Sequence, residues 1–327
     1  MIEFIVRRLL LLIPTVIMIS IISFAIIQLP PGDFLTSYII TLESQGQLVD
    51  EGLVASLKEQ YGLDQPLTVQ YFKWVSGMMH GDFGQSLTWN LPVKDLIWER
   101  IGLTFAISFA SLMFIWAVAF PVGIYSAVKQ YSVGDYFFTF VSFVGLGIPS
   151  FLLALIIMWF AFSKFGLSVG GLFSIQYIDA PWNWDKFIDL LNHLWVPMIV
   201  LGLGGTAGLI RIMRANLLDE LRKPYVTTSR AKGMPEAKLI VKHPVRVALN
   251  PFVSTVGWTL PGLVSGSVIV SVVLNLPTTG PILLRALLSQ DMYLAGTLVL
   301  LLSVLTVIGT LISDILLAWL DPRIRLQ

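Results

Sequence analysis

Three histidines, His80, His193 and His243, are the only imidazoles available as general bases, and the chain has no cysteine. They fall in three separate segments, so no nucleophile–base pair of the kind that drives acyl transfer can be assembled from them. Absence of cysteine excludes disulfides, cysteine–zinc sites and iron–sulfur clusters. A nucleotide phosphate would need a glycine-rich turn followed by lysine and a hydroxyl residue. Gly202-Leu203-Gly204-Gly205 has no lysine after it and lies inside an apolar run. Asp314 is the one acid set within a long apolar block, about two turns before Asp321. Acids inside membranes serve proton relays, but a single acid near the end of its block reads as a structural charge that reaches water or a neighbouring basic segment.

The densest chemistry is basic. Residues Tyr225-Val226-Thr227-Thr228-Ser229-Arg230-Ala231-Lys232-Gly233-Met234 lead into His243-Pro244-Val245-Arg246-Val247-Ala248-Leu249-Asn250-Pro251. The pattern is a helix, a glycine turn and a second helix. Gly233 can take the left-handed conformation that ends a helix, and Pro235 suits the start of the next. Small residues Thr228, Ser229 and Ala231 allow a partner surface to come close. Two readings fit equally: a docking loop for another protein, or a basic loop held inside by its charge and touching anionic lipid.

These residues sit between apolar blocks. Of 327 residues, 56% are hydrophobic and 13% charged, against about 25% charged in a soluble domain, and the mean hydropathy is +0.80. A membrane-spanning helix needs about 20 apolar residues. Six blocks qualify or nearly so: Leu9–Leu29, Leu103–Val128, Tyr136 to about Phe162, Leu194–Ile210, about Phe252 to Leu274, and about Met292 to Leu317. The first is longer than the apolar stretch of a signal peptide and no small-x-small site precedes Pro30-Pro31-Gly32-Asp33, so a retained helix is expected. With an internal N-terminus, two thirds of the 21 basic residues fall inside, as the positive-inside rule requires, and both termini are cytoplasmic. The organisation expected is a first helix over 1–29, a helical external cap over 30–100, and a five-helix core over 101–327 with its cytoplasmic loop at 213–250. Apolar spacings at Val54–Leu57–Tyr61 and Val69–Phe72–Val75–Met79 predict amphipathic helices in the cap.

Within the blocks, Gly204 and Gly208 make a G-x-x-x-G pair beside Gly202 and Gly205, suited to close helix packing in this subunit or against a second one. Trp258, Ser265, Ser267 and Ser271 carry polar groups that are costly against lipid. They fit a pathway lining, and equally the small polar residues that glue helices together. Trp182, Trp184 and Trp195 suit sugar stacking or an interfacial aromatic belt.

The basic run resembles the coupling-loop motif of bacterial ABC importer permeases, in the form typical of the B-type subunit of the dipeptide/oligopeptide (peptide/nickel) family. The likeness extends along the chain through Arg7-Arg8 and Pro31-Gly32-Asp33, Tyr61-Gly62-Leu63-Asp64-Gln65-Pro66, Gly81-Asp82-Phe83-Gly84-Gln85-Ser86, Asp291-Met292-Tyr293 and Asp321-Pro322-Arg323. It departs at Pro244, where the family often has alanine, and at Leu276-Pro277-Thr278-Thr279-Gly280. The resemblance implies an all-α membrane protein of type I importer kind, with Tyr225, Thr228, Arg230, Ala231, Lys232, Gly233 and Met234 contacting the ATPase subunit. It implies a homologous permease as partner in a heterodimer, with a second copy of this chain as the alternative, two ATP-binding subunits or domains, an extracytoplasmic substrate-binding protein and surrounding lipid, with no nucleic acid. No cofactor is expected in this chain, ATP and magnesium being bound by the partners. The substrate class implied is short peptides, with oligosaccharides or a nickel chelate as alternatives. A stand-alone secondary transporter would show paired halves with broken midplane helices, and these are not evident. A channel would not need so elaborate a loop.

The charge distribution generates a test. Tags on both termini should be reached only from the cytoplasmic side of oriented vesicles, and a label near Gln45 only from outside. Termini on opposite faces would remove the six-span arrangement.

Overall fold

A chain surrounded by hydrocarbon must satisfy its backbone polar groups internally, so the apolar blocks become helices. The computed structural model describes residues 2–28, 52, 55, 65–86, 88–89, 91–250, 252, 268–289 and 291–320. Helix α1 covers Ile2–Gln28 and α2 Leu67–Met79; strands β1 (Gln85–Ser86) and β2 (Leu91–Pro92) form a small antiparallel hairpin. Then follow α3 (Val93–Val128), α4 (Val133–Gly147), α5 (Ser150–Phe165), α6 (Trp184–Leu221), α7 (Pro224–Ala231), α8 (Glu236–Lys242), α9 (Pro244–Ala248), α10 (Thr279–Leu288) and α11 (Met292–Leu320).

Four of the described helices, α1, α3, α6 and α11, are long and apolar enough to cross a bilayer, and the bent pair α4–α5 makes a fifth if counted as one span. The block expected to supply a sixth lies mostly outside the described residues, as does the cap helix expected around Val54–Tyr61. The cap helix expected around Val69–Met79 is α2. Two expectations need correction. The third block is not one straight helix: α4 and α5 meet at 103°. Pro149 has no N–H to give and disfavours helical geometry in the residue before it, and Ile148 is accordingly extended (φ −89°, ψ 120°). The fourth helix is far longer than its charge-free run, reaching about three turns beyond it at either end. Asn183 caps its start by accepting from the Lys186 N–H at 2.8 Å, so charged turns continue the helix beyond the apolar window. Likewise α3 runs through residue 100 without a break.

The chain divides into two compact units. The first comprises Met1–Arg8, Phe105–Pro277 and Thr306–Gln327. Here α4, α5 and α9 pack on α6. Gly202 and Gly205 give α3 its close approach: a Cβ at Gly202 would stand 2.7 Å from Phe114 Cδ1, and one at Gly205 2.9 Å from Ile115 Cδ1. Gly204 and Gly208 meet nothing within 4 Å, so the packing expected of that pair falls to their neighbours. Ser132 caps α4 by accepting from the Asp135 N–H. The buried Asp135 carboxylate takes the Tyr131 N–H and a fork from Arg214 on α6, with Nε at 3.0 Å and Nη2 at 2.8 Å. Asp314 pairs with Arg8 at 3.0 Å, which agrees with a structural charge reaching a basic neighbour.

The second unit comprises Leu9–Thr104 and Thr278–Leu305. Ser20 and Tyr71 share a 2.7 Å hydrogen bond, and Phe24 packs on Tyr71 and Trp74, which ties α2 to α1. Val93, Ile97, Ile282, Ala286, Leu294 and Leu298 form its apolar core. Two motifs distant in sequence meet at the start of α11: Asp291 accepts from Ser86 Oγ at 2.6 Å and from the Leu294 N–H at 3.2 Å. Gly84, at φ +78°, lies against the Tyr293 ring, where a Cβ would come within 2.6 Å of Cδ1.

The Asp135–Arg214 fork is better buried than the Arg8–Asp314 pair. Asp135→Ala leaves Arg214 without its counter-ion and should cost about 3 kcal/mol. Asp314→Ala removes one partner of the 42% exposed Arg8 and should cost about 1 kcal/mol or less. Thermal unfolding in lipid nanodiscs measures both, and equal losses would show that the fork does not hold α4 to α6.

Candidate coupling site

The basic run lies directly beyond α6. Arg222 ends that helix, Lys223 turns the chain and Pro224 opens α7 at a position where its missing N–H costs nothing. One residue of α7, Val226, is fully buried. Thr228 Oγ1 and Ser229 Oγ donate back to the Pro224 and Tyr225 carbonyls, at 3.0 and 2.8 Å. Their hydroxyls are thus satisfied within the helix, and what they present outward is small.

The helix ends in a glycine turn. Gly233 has φ +79°. Its N–H donates to the Arg230 carbonyl at 3.0 Å, and the Met234 N–H donates back to Ser229 at 3.3 Å. This paired pattern is the Schellman motif, in which a residue without a Cβ occupies the left-handed position. Pro235 caps α8. Across the turn Arg230 forks onto Glu236, with Nε at 3.0 Å and Nη2 at 2.5 Å. The ion pair holds the Glu236 carboxyl below its usual range and raises Arg230. Tyr225 donates to Glu220 at 2.5 Å and sets its ring edge-on to His243. Burial first, then that bond to Glu220, pushes the phenol above its usual range, so it remains a donor. Pro244 does break the returning segment: α8 stops at Lys242, His243 lies between the helices at φ −118° and ψ −75°, and α9 begins afresh.

The inner side of the loop is apolar. Val226, Leu239, Ile240, Val245 and Ala248 join Met213 and Leu217 of α6 and Ile115, Ala119 and Ala127 of α3 in one buried cluster. Tyr225, Thr228, Arg230, Ala231, Lys232 and Gly233 are all on the exposed side. Met234 instead is half-buried and packs on the cluster. The loop therefore presents a small-residue, cationic surface on a back fixed to two long helices.

Of the four expected pathway residues only Ser271 is among the described residues. Ser271 is fully buried; Trp258, Ser265 and Ser267 lie outside the described residues. Sequence reasoning missed Asp135 and Arg214, although Ser132-x-x-Asp135 before an apolar run carries the helix-start signature. It also missed the apolar cavity of about 370 Å³ in the α4–α5 bend, lined by Gly145, Leu146, Pro149, Leu153, Leu203 and Gly204 among others.

Comparison with known proteins bears on this geometry. Residues 119–326 match the family model described as binding-protein-dependent transport system inner membrane component, and residues 1–108 match the model for the N-terminal part of such membrane components. The chain is 35% identical to the oligopeptide transport system permease protein AppB of Bacillus subtilis, over 99% of this chain and 100% of that one. It is 30% identical to the dipeptide transport system permease protein DppB of Escherichia coli K12, over 99% of each. Among solved structures, a chain of the MetNI methionine ABC transporter in inward-facing conformations aligns with a TM-score of 0.53 at 18% identity, covering 69% of this chain and 96% of that chain. At that identity the likeness is one of fold.

A Cβ on Gly233 would meet nothing within 4 Å. Gly233→Ala should therefore act through backbone strain alone, about 1 kcal/mol, seen as faster amide exchange at Met234 with membrane insertion unchanged. Exchange as slow as wild type would show that the positive φ is not a constraint.

Proposed function

Because the chain belongs to the family of binding-protein-dependent transport system inner membrane components, we propose that it forms half of a translocation pathway for short peptides, driven by ATP hydrolysed on a separate subunit. The chain is an integral inner-membrane permease, and its family works with ATP-binding and substrate-binding components. Peptide cargo is supported by the names of relatives that align with the chain from end to end, an oligopeptide and a dipeptide permease. In the full arrangement a homologous permease encloses the other half of the pathway, two ATP-binding subunits sit on the cytoplasmic side and a substrate-binding protein delivers from outside. Both termini face the cytoplasm.

The observation that carries the coupling role is the two-sidedness of the α7 turn. Its outer surface exposes small residues Thr227, Thr228, Ala231 and Gly233 beside Tyr225, Arg230 and Lys232, while Val226 behind it is fully buried in the cluster with Met213 and Leu217. A force applied to that surface moves α6, because a close-packed apolar contact does not yield gradually. Alternating access follows: closure of the ATP-binding subunits displaces the loop, and the loop carries α6 and α3 with it. The residues assigned to the contact are Tyr225, Thr228, Arg230, Ala231, Lys232 and Gly233, with Met234 anchoring the turn from within.

Gly233→Asn separates the docking role from folding. Asparagine tolerates the left-handed conformation better than other side chains, so the turn should form, while its bulk stands on the exposed surface. The expected outcome is normal insertion, several-fold poorer co-purification with the ATP-binding subunits and a matching loss of peptide uptake. Wild-type uptake with those subunits fully bound would reduce the loop to a basic connection at the lipid surface.

A further inference from the structure

The connector between α5 and α6, residues 166–183, has its polarity inverted. Lys186, in the first turn of α6, is 2% exposed, while Ile175 is 91% and Trp184 72% exposed. Water-facing segments place lysine outside and large apolar groups inside, so the pairing of a buried cation with an exposed apolar patch is the informative observation. The Lys186 ammonium donates to the carbonyls of Ala180 at 2.7 Å and Ile178 at 3.3 Å. It lies 4.9 Å from the centre of the Phe173 ring and 5.2 Å from that of Trp182, within cation–π range. One turn on, Asp189 accepts from both the Ser174 N–H and hydroxyl at 2.7 Å. Every polar tie points inward and fixes the connector as a folded piece; Ile175, Ile178, Trp182 and Trp184 are left pointing out.

We propose that this connector and the first turns of α6 form a membrane-interface anchor, a pre-folded apolar wedge whose partner is the phospholipid headgroup layer. Three observations favour lipid over sugar or protein. The exposed groups continue without a gap down one face of α6 through Phe187, Ile188, Leu191 and Trp195, into the span itself. Lys186 and Asp189 sit roughly 8–12 Å along the axis beyond Leu194, where the charge-free run begins. The 17-residue run is about 26 Å long, a little short of a hydrocarbon core of about 30 Å, so Asp189 falls within the headgroup layer and Lys186 at its outer edge, where tryptophan and other part-apolar side chains collect. Sugar stacking needs an open ring face with hydrogen-bonding groups beside it, and the Trp182 ring is already engaged by Lys186 and by Phe173, edge to face at 5.8 Å. The proposal requires only that the chain spans the membrane, and it holds whatever the cargo.

The chain's lack of cysteine makes the test direct. A spin label on Ile175→Cys, in the full chain reconstituted into phosphatidylethanolamine/phosphatidylglycerol vesicles, is compared for collision with oxygen and with a water-soluble nickel chelate. Labels at the exposed positions Leu155 on α5 and Ala237 on α8 serve as lipid and water references. The Ile175 label should favour oxygen several-fold over the Ala237 label. Adding Lys186→Met should shift it toward the water reference while the Leu155 label stays unchanged. A ratio equal to that of Ala237, or protection from the chelate only after a substrate-binding component is added, overturns the anchor. An unchanged ratio with Lys186→Met overturns the part assigned to the cage.

Discussion

Burial of Val226, Leu239 and Val245 against Met213 and Leu217 is the contact on which the reading of this molecule depends. Hydrocarbon offers no hydrophobic drive to hold one spanning helix against another, so a loop outside the spans must obtain its rigidity from its own apolar side. Here it does so completely: Val226, Leu239, Met213 and Leu217 are each fully buried. Were the inner side polar, the outer surface would still attract a partner, but a displacement there would be absorbed in the loop. Glycine at 233 completes the arrangement by letting the chain reverse without a side chain on the exposed surface.

The polar groups follow a common rule. A charge removed from water is tolerable only when its hydrogen-bonding capacity is met in place, and among the described residues the buried charges Asp135, Lys186 and Asp291 sit at or just before helix starts. Asp135 meets the first turn of α4 and the Arg214 fork together. Asp291 takes the Leu294 N–H at the start of α11 and the Ser86 hydroxyl. Burial pushes the Asp291 carboxyl up, against the lowering effect of those donors. Lys186 opens α6 and is met by carbonyls and ring faces. Each of these side chains lies at or beside a helix start and ties it to a neighbouring segment: Asp135 to Arg214, Asp291 to Ser86, and Lys186 to the carbonyls of Ile178 and Ala180.

How much of this was legible in the sequence depends on the kind of information each feature uses. Charge-free runs announce the presence of spanning helices, because hydrocarbon demands them. They do not announce the ends, since α6 continues about three turns past its run at either end once Asn183 has capped it and its charges have found partners. Prolines are ambiguous for a related reason. Pro14, Pro121 and Pro197 lie inside unbroken helices, whereas Pro149 parts α4 from α5. Only the last follows Gly145 and Gly147, and in a span the neighbouring helices decide whether a missing N–H is tolerated. The Gly233-Met234-Pro235 turn was readable because its chemistry is local. The Asp135–Arg214 fork was not, because its partners are 79 positions apart and a helix-start signature at Asp135 does not point to Arg214.

Helix α6 connects these features. It is 38 residues long, about 57 Å at the usual rise, more than the full thickness of a bilayer with its headgroups. Its last turns hold Met213 and Leu217 in the cluster that carries the loop, its middle takes α3 against Gly202 and Gly205, and its first turns hold Lys186 and Asp189. Pro197 does not interrupt it. A continuous helix bends far less readily than a loop, so a displacement imposed on α7 reaches the level of Lys186 with little loss. There Gly171 of the connector donates to the Leu274 carbonyl at 2.7 Å, immediately before Asn275, whose φ of +51° marks a tight reversal. The same helix thus carries the apolar back of the loop at one end and the polar ties of the connector at the other.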